Sequence, residues 1–178
     1  MRRVVTGHKD GKSVFISDGM PPHVVTLENL SGLEITHVWM TDAIPAIPIE
    51  KGDPTVGMVP FIPGPGETHF RFARIPPLQG PTEGVEGVDS ATVEQELQEK
   101  TPGLAEAMDP ENIGVHTTDT VDYVIIMSGE LWLELDDGVE VHLKQGDCVV
   151  QNGTRHAWKN RSSEACVMAV VMVGAKRS

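Results

Sequence analysis

The sequence predicts an all-β fold, a barrel or sandwich of short strands. Three observations predict it. The chain of 178 residues carries 18 Gly and 13 Pro, and that much punctuation suits strands and turns better than a helical bundle. Its C-terminal part is a run of short stretches in which apolar and polar residues alternate, the signature of half-buried strands. Turn signals such as Asp137-Gly138 and Asn152-Gly153 separate those stretches, because both positions of each pair tolerate a positive φ.

The elements follow in order. In residues 1–75, strands are expected at Val14-Phe15-Ile16, at Val24 to Leu27 and at Leu33 to Trp39. The Pro-rich stretch from Pro45 to Gly66 cannot supply a continuous ladder of N–H donors and is expected to wrap as a loop. His69 to Ile75 reads as a strand with Phe70 and Phe72 on one face and Arg71 on the other. In residues 76–112, Pro76-Pro77 and the glycines at 80, 84 and 87 suggest a loop. Asp89 or Ser90 can cap a helix through Lys100, and a short helical turn follows from Gly103 to Met108. Val93 with Leu97, and Leu104 with Met108, are spaced to pack this segment on a sheet.

Residues 113–174 hold the remaining strands. Val124 to Met127 ends at Ser128-Gly129. Leu131, Leu133 and Leu135 share a face, and Val139, Val141 and Leu143 resume the alternation after the turn. Gln145-Gly146-Asp147 turns into Cys148 to Gln151, and Cys166 to Val173 closes the run. The domain reading is one structural unit. It has an N-terminal β arm with its Pro-rich loop (1–75), a loop with short helices (76–112) and a β core (113–174).

The balance of 14 basic against 26 acidic residues gives a formal charge of −12. Such a surface repels phosphate backbones, so nucleic acid is not an expected partner. No apolar run approaches the roughly 20 residues that span a bilayer, and the N-terminus lacks the apolar core of a signal peptide. A cytoplasmic protein is expected. Cys148 and Cys166 lie on core-like strands and read as two buried thiols.

Metal-binding side chains recur in the β core at inward-compatible spacing. His116 and Thr118 share a face, Asp122 opens the next strand, and His156, Trp158 and Asn160 share a face of a later one. Two imidazoles and a carboxylate are the ligand set of a facial triad, which suits Fe(II), with Zn, Mn or Ni as alternatives.

The same residues resemble the two motifs of the cupin superfamily. The first runs here as His116-x-Thr118, three residues, Asp122, six residues, Gly129. The second runs as Gly146, four residues, Gln151-x-Gly153, two residues, His156, three residues, Asn160. Thr118 stands where the family has a second His, Asp122 where it has Glu, and Gln151 where it has Pro. The stretch from His116 to Glu130, which opens as His-x-Thr-Asp-Thr-x-Asp-Tyr, is similar to a cupin subgroup whose members are often labelled oxidoreductases. The resemblance implies a double-stranded β-helix, or jelly-roll barrel, with an N-terminal β extension and one or two short helices. It implies metal ligation by His116, Asp122 and His156, and pairing into a homodimer.

Thr118 and Trp158 are expected to line the pocket, and Arg155 to clamp a substrate carboxylate at its mouth. Tyr123 is expected to point away from Asp122. Three functional readings stay open at this stage. One is a metal-dependent oxidoreductase or dioxygenase acting on a small carbonyl or carboxylate compound. The others are a metal-dependent lyase or isomerase, and a non-catalytic cupin that binds a small molecule.

Overall fold

A computed structural model describes residues 1–49, 51–78 and 89–178 of the chain. The N-terminal region forms β1 (Arg3–Lys9), β2 (Lys12–Gly19), β3 (His23–Leu27), β4 (Leu33–Thr41) and β5 (Thr68–Ile75). The middle forms α1 (Ser90–Lys100), α2 (Leu104–Ala107) and the two-residue β6 (Met108–Asp109). The C-terminal region forms β7 (Asn112–His116), β8 (Thr120–Ser128), β9 (Glu130–Glu134) and β10 (Glu140–Lys144). It ends with β11 (Cys148–Asn152), β12 (Ala157–Lys159) and β13 (Cys166–Gly174). The loop expected at the glycines at 80, 84 and 87 lies outside the described residues.

Six strands form the larger sheet in the order β11-β8-β13-β5-β4-β3, and three form the smaller one in the order β10-β9-β12. All pairings are antiparallel. The main core lies between these sheets. Leu131, Leu133 and Leu143 from the smaller one pack on Val124, Ile126, Met168 and Val170 from the larger. The N-terminal strands are thus part of the sandwich wall: β3, β4 and β5 extend the same sheet that carries β8 and β13. Of the N-terminal strands, β1 and β2 stand apart as a hairpin, and β6 pairs with β7 in a second small sheet.

The helical segment packs as its spacing predicts. Asp89 caps α1 by accepting from the Thr92 N–H at 2.9 Å. Val93, Leu97 and Leu104 bury against Val25, Leu27 and Ile35 in a second cluster. Glu96 is buried and accepts the N–H groups of Glu28 and Asn29 at 2.9 and 2.8 Å, which ties the helix to the turn after β3. The second helix is shorter than expected, because Gly103 at φ +93° sets its start at Leu104.

Three core expectations are corrected by position in the sheets. Cys148 is exposed while Cys166 is buried, and both are free thiols. The reason is that β11 is the outer edge of its sheet, where Cys148 sits opposite the exposed Ile125. Val141 shares a face with Leu133 but lies on the edge strand β10 and is half exposed. Leu135 falls beyond the end of β9 and is exposed. Among the described residues, no helix is long and apolar enough to cross a membrane.

The motif glycines close tight joints. Gly129 has φ +75°, and a Cβ there would stand 2.8 Å from the Ala165 carbonyl oxygen and 2.9 Å from the Cys166 Cα. Both neighbours are backbone and cannot step aside. Gly129→Ala is therefore expected to cost about 2–5 kcal/mol, the left-handed penalty plus overpacking. A urea titration followed by circular dichroism measures it, and a midpoint equal to wild type would refute the backbone account.

Candidate active site

The site grows from one backbone contact. His116 ends β7, and His156 stands just before β12. The His116 N–H donates to the His156 carbonyl at 2.9 Å, and the His156 N–H returns a bond at 3.0 Å. A reciprocal antiparallel pair of this kind sets two side chains on the same face. The ring centroids come to 4.3 Å, tilted by 53°.

Each ring is then fixed by its own turn. His116 Nδ1 lies 3.1 Å from the Gly114 carbonyl, and His156 Nδ1 lies 2.9 Å from the Thr154 carbonyl. A carbonyl only accepts, so each Nδ1 carries the hydrogen and each Nε2 keeps its lone pair. Burial holds the His116 imidazole below its ordinary value, against the Gly114 carbonyl. His156 falls to about 3, through burial first and then the neighbouring His116, with the Thr154 carbonyl opposing. Both rings are neutral bases at physiological pH.

Asp122 is 6 % exposed, on the inward face of β8. Its carboxyl is pushed up to about 6 by burial, which outweighs a hydrogen bond from Thr120 and the charge of Arg71. Its Oδ1 has no hydrogen-bond partner among the described residues. Thr118 is buried and shares a 2.7 Å hydroxyl contact with Thr120, so it steadies the group that holds Asp122. Trp158 meets the His156 ring edge-on at 5.6 Å and 85°.

His116, Thr118, Asp122, His156 and Trp158 all line one cavity of about 140 Å³. Most of its remaining wall is apolar, including Ile35, Val124, Met168, Val170 and Met172. Such a lining excludes water and strengthens every polar contact inside it.

Two expectations change here. Arg155 does not line the cavity. Its guanidinium is taken by Asp109 at 2.6 Å and by Asp136 at 3.2 Å, on the outside of the barrel. The cation that does face the cavity is Arg71, on β5, which is 2 % exposed. Its guanidinium stacks on Phe61 at 4.2 Å from the ring centroid. The visible signal for it was the strand Thr68–Ile75. His69, Arg71 and Ala73 face inward there and the two phenylalanines face outward, the reverse of ordinary patterning. Asn160, the last motif residue, is fully buried and donates to the carbonyls of Ile75 and Glu164 at 2.8 Å, which makes it a structural pin. Tyr123 is exposed, as alternation requires.

The donor set can be tested against a metal. The two Nε2 lone pairs suit two coordination positions, and their Nδ1–H bonds are of the kind that orient ligating imidazoles. A catalytic divalent site ordinarily has three protein ligands. Among the described residues, no three His, Cys, Asp or Glu side chains stand together so as to hold an ion. His116 and His156 come together, and Asp122 does not join them as a third donor. The residues present therefore do not fit a facial triad.

Residues 106–173 match the Cupin domain family. Over 51 residues it is 47% identical to the phomopsin biosynthesis cluster protein C' of Diaporthe leptostromiformis, covering 29% of this chain and 27% of that one. Over 58 residues it is 38% identical to the cupin-domain-containing oxidoreductase srdD of Neurospora crassa, covering 33% and 30%. The matched part thus spans roughly a quarter to a third of these relatives' length. Among solved structures, a putative ethanolamine utilization protein Q from Salmonella typhimurium LT2 aligns over 99% of this chain and 98% of its own. Its identity is 10% and the TM-score 0.45. A Cupin 2 conserved barrel domain protein from Salinispora arenicola CNS-205 aligns over 80% and 76%, at 17% identity and TM-score 0.39.

The pH dependence of Asp122 follows from its burial. Between 3.8 and about 6 the folded protein keeps a proton that the unfolded chain has released. Stability from this group therefore falls as pH rises through that window, and the penalty is complete above it. Asp122→Asn cannot titrate. Relative to wild type, the variant is expected to gain up to about 3 kcal/mol between pH 4 and pH 7.5. Urea unfolding at the two pH values measures this, and a pH-independent difference would contradict it.

Proposed function

We propose that this cupin is an enzyme that moves a proton on a small organic molecule held in the cavity. The observation that carries the reading is the convergence of two fixed imidazole Nε2 lone pairs and an unpartnered Asp122 Oδ1 on one apolar cavity. Burial inverts the usual order of these groups. The Asp122 carboxyl holds its proton up to about 6, while His156 stays neutral down to about 3. Titratable groups pushed apart in this sense divide the roles of acid and base. His156 or His116 takes a proton from a carbon beside a carbonyl. Asp122 in its protonated form, which it keeps up to about pH 6, donates a hydrogen bond to the oxygen on which charge develops. The proton returns at another position, or a leaving group departs with its bonding electrons. The reaction class is isomerisation or elimination, and it balances without an external oxidant.

A second reading is a metal-dependent oxidoreductase, in line with the expectation of a dioxygenase acting on a small carbonyl or carboxylate compound. Two observations favour it: the paired Nε2 lone pairs, and the oxidoreductase description of the Neurospora crassa relative. A bound divalent ion would supply Lewis-acid and redox chemistry there. It would need a donor beyond the two histidines.

One experiment separates the two. Protein made without a histidine tag is treated with a chelator, assayed for residual metal by elemental analysis, and incubated with small ketones and oxo acids in D2O. Deuterium uptake at the carbon beside the carbonyl is expected in the metal-free protein, with a loss of about 10²–10⁴ in rate for His156→Gln. No exchange without metal, together with oxygen uptake restored by Fe(II), would overturn the proton-transfer reading in favour of the second.

A further inference from the structure

Arg71 is the most unusual residue of the cavity, and the proton-transfer reading does not use it. A guanidinium carries five N–H donors and no acceptor. The two on Nη2 are spent on the Phe61 carbonyl at 2.5 Å and on His69 Nδ1 at 3.0 Å. Nε and Nη1 have no partner among the described residues, which leaves three donors unmet in a fully buried side chain. No carboxylate of the described residues forms an ion pair with it. A buried charge left in this state is costly, and structures retain one only where something supplies the missing acceptors.

The neighbours do not answer that need. Across the sheet, Arg71 faces His37 on β4 and Val170 on β13. His37 is pushed down to about 3, chiefly by burial, then by Arg71, His23 and His69. His69 is pushed down to about 4, chiefly by burial and by Arg71. Both rings are therefore neutral. Asp122 lines the same cavity and its charge is felt by Arg71, but it makes no hydrogen bond to the guanidinium, whose Nε and Nη1 donors stay unmet among the described residues. The rest of the lining near Arg71 is Ile35, Ala73, Val170 and Phe61.

We propose that Arg71 is the anion-binding residue of the cavity and that the substrate is a small, mostly apolar organic carboxylate. This rests on the reading of the cavity as a small-molecule site, and it adds the chemical class. Carboxylate fits better than phosphate because the wall offers one guanidinium beside neutral imidazoles, too little charge for a dianion. The apolar wall takes the body of the acid. The cavity of about 140 Å³ suits a ring-sized molecule, since an apolar cavity of about 150 Å³ accepts benzene.

The test compares benzoate with benzamide, which have nearly the same shape and differ in charge. Met108, Met168 and Met172 line the cavity, so their ¹³C-labelled methyl groups report occupancy by NMR. Benzoate is expected to shift these methyls in the intact protein with an affinity at least tenfold above that of benzamide. Arg71→Gln is expected to erase the preference, and Arg71→Lys to keep part of it. If Arg71→Gln does not fold, the two ligands in the wild type decide the matter alone. Equal affinity for benzamide and benzoate would overturn the carboxylate inference and leave the small-molecule site standing. No methyl shift with either ligand at millimolar concentration would overturn both.

Discussion

The reciprocal hydrogen bond between the backbones of His116 and His156 is the joint on which the site depends. It couples the end of β7 to the start of β12, two segments 40 residues apart by their numbering. Each partner is then held by a turn that uses its imidazole Nδ1, so the same short segments set backbone and ring together. The surrounding strands act as a frame. β12 is hydrogen-bonded to β9, and β9 packs its leucines on β8 and β13. Gly153 closes beside the Thr118 and Thr120 carbonyls, where a Cβ would come within 3.1 and 3.4 Å. The loop that presents His156 is thereby pressed against the strand entry that presents Asp122.

The electrostatics of the cavity follow from its dryness. An acidic protein with a formal charge of −12 places one arginine inside and surrounds it with imidazoles that burial keeps neutral. Here the nearest acid, Asp122, belongs to a strand two places away in the sheet, with β13 between them. The charges interact but do not join, and each keeps unpartnered polar atoms. Incomplete buried networks of this sort are unfavourable for stability and useful for recognition, because a ligand of the right charge completes them.

Much of the fold was legible in the residues. Alternation, the Asp137-Gly138 and Gly146 turns and the Asp89 cap fall where the structure places them. These are local properties, decided by backbone sterics and by which side chains water rejects. The paired histidines were legible too, since motif spacing and strand order bring them to one face. Asn160 was legible as a position but not as a role, because its work is to satisfy carbonyls from two other segments.

What the sequence by itself determined is the all-β class, the turn positions and the inward histidines, because each depends on neighbours within a few residues. Tertiary structure decided which arginine enters the cavity. Arg155 sits beside His156 in the chain, yet Asp109 and Asp136 draw it outward. Arg71 is far away in sequence and reaches the same cavity because β5 pairs with β13 in a register that turns its odd-numbered residues inward. Tertiary structure also sets how Asp122 stands to the histidines, since β8 belongs to the six-stranded sheet while β7 and β12 belong to others. Charge pairing and cavity lining are set by non-local contacts, and no local pattern encodes them.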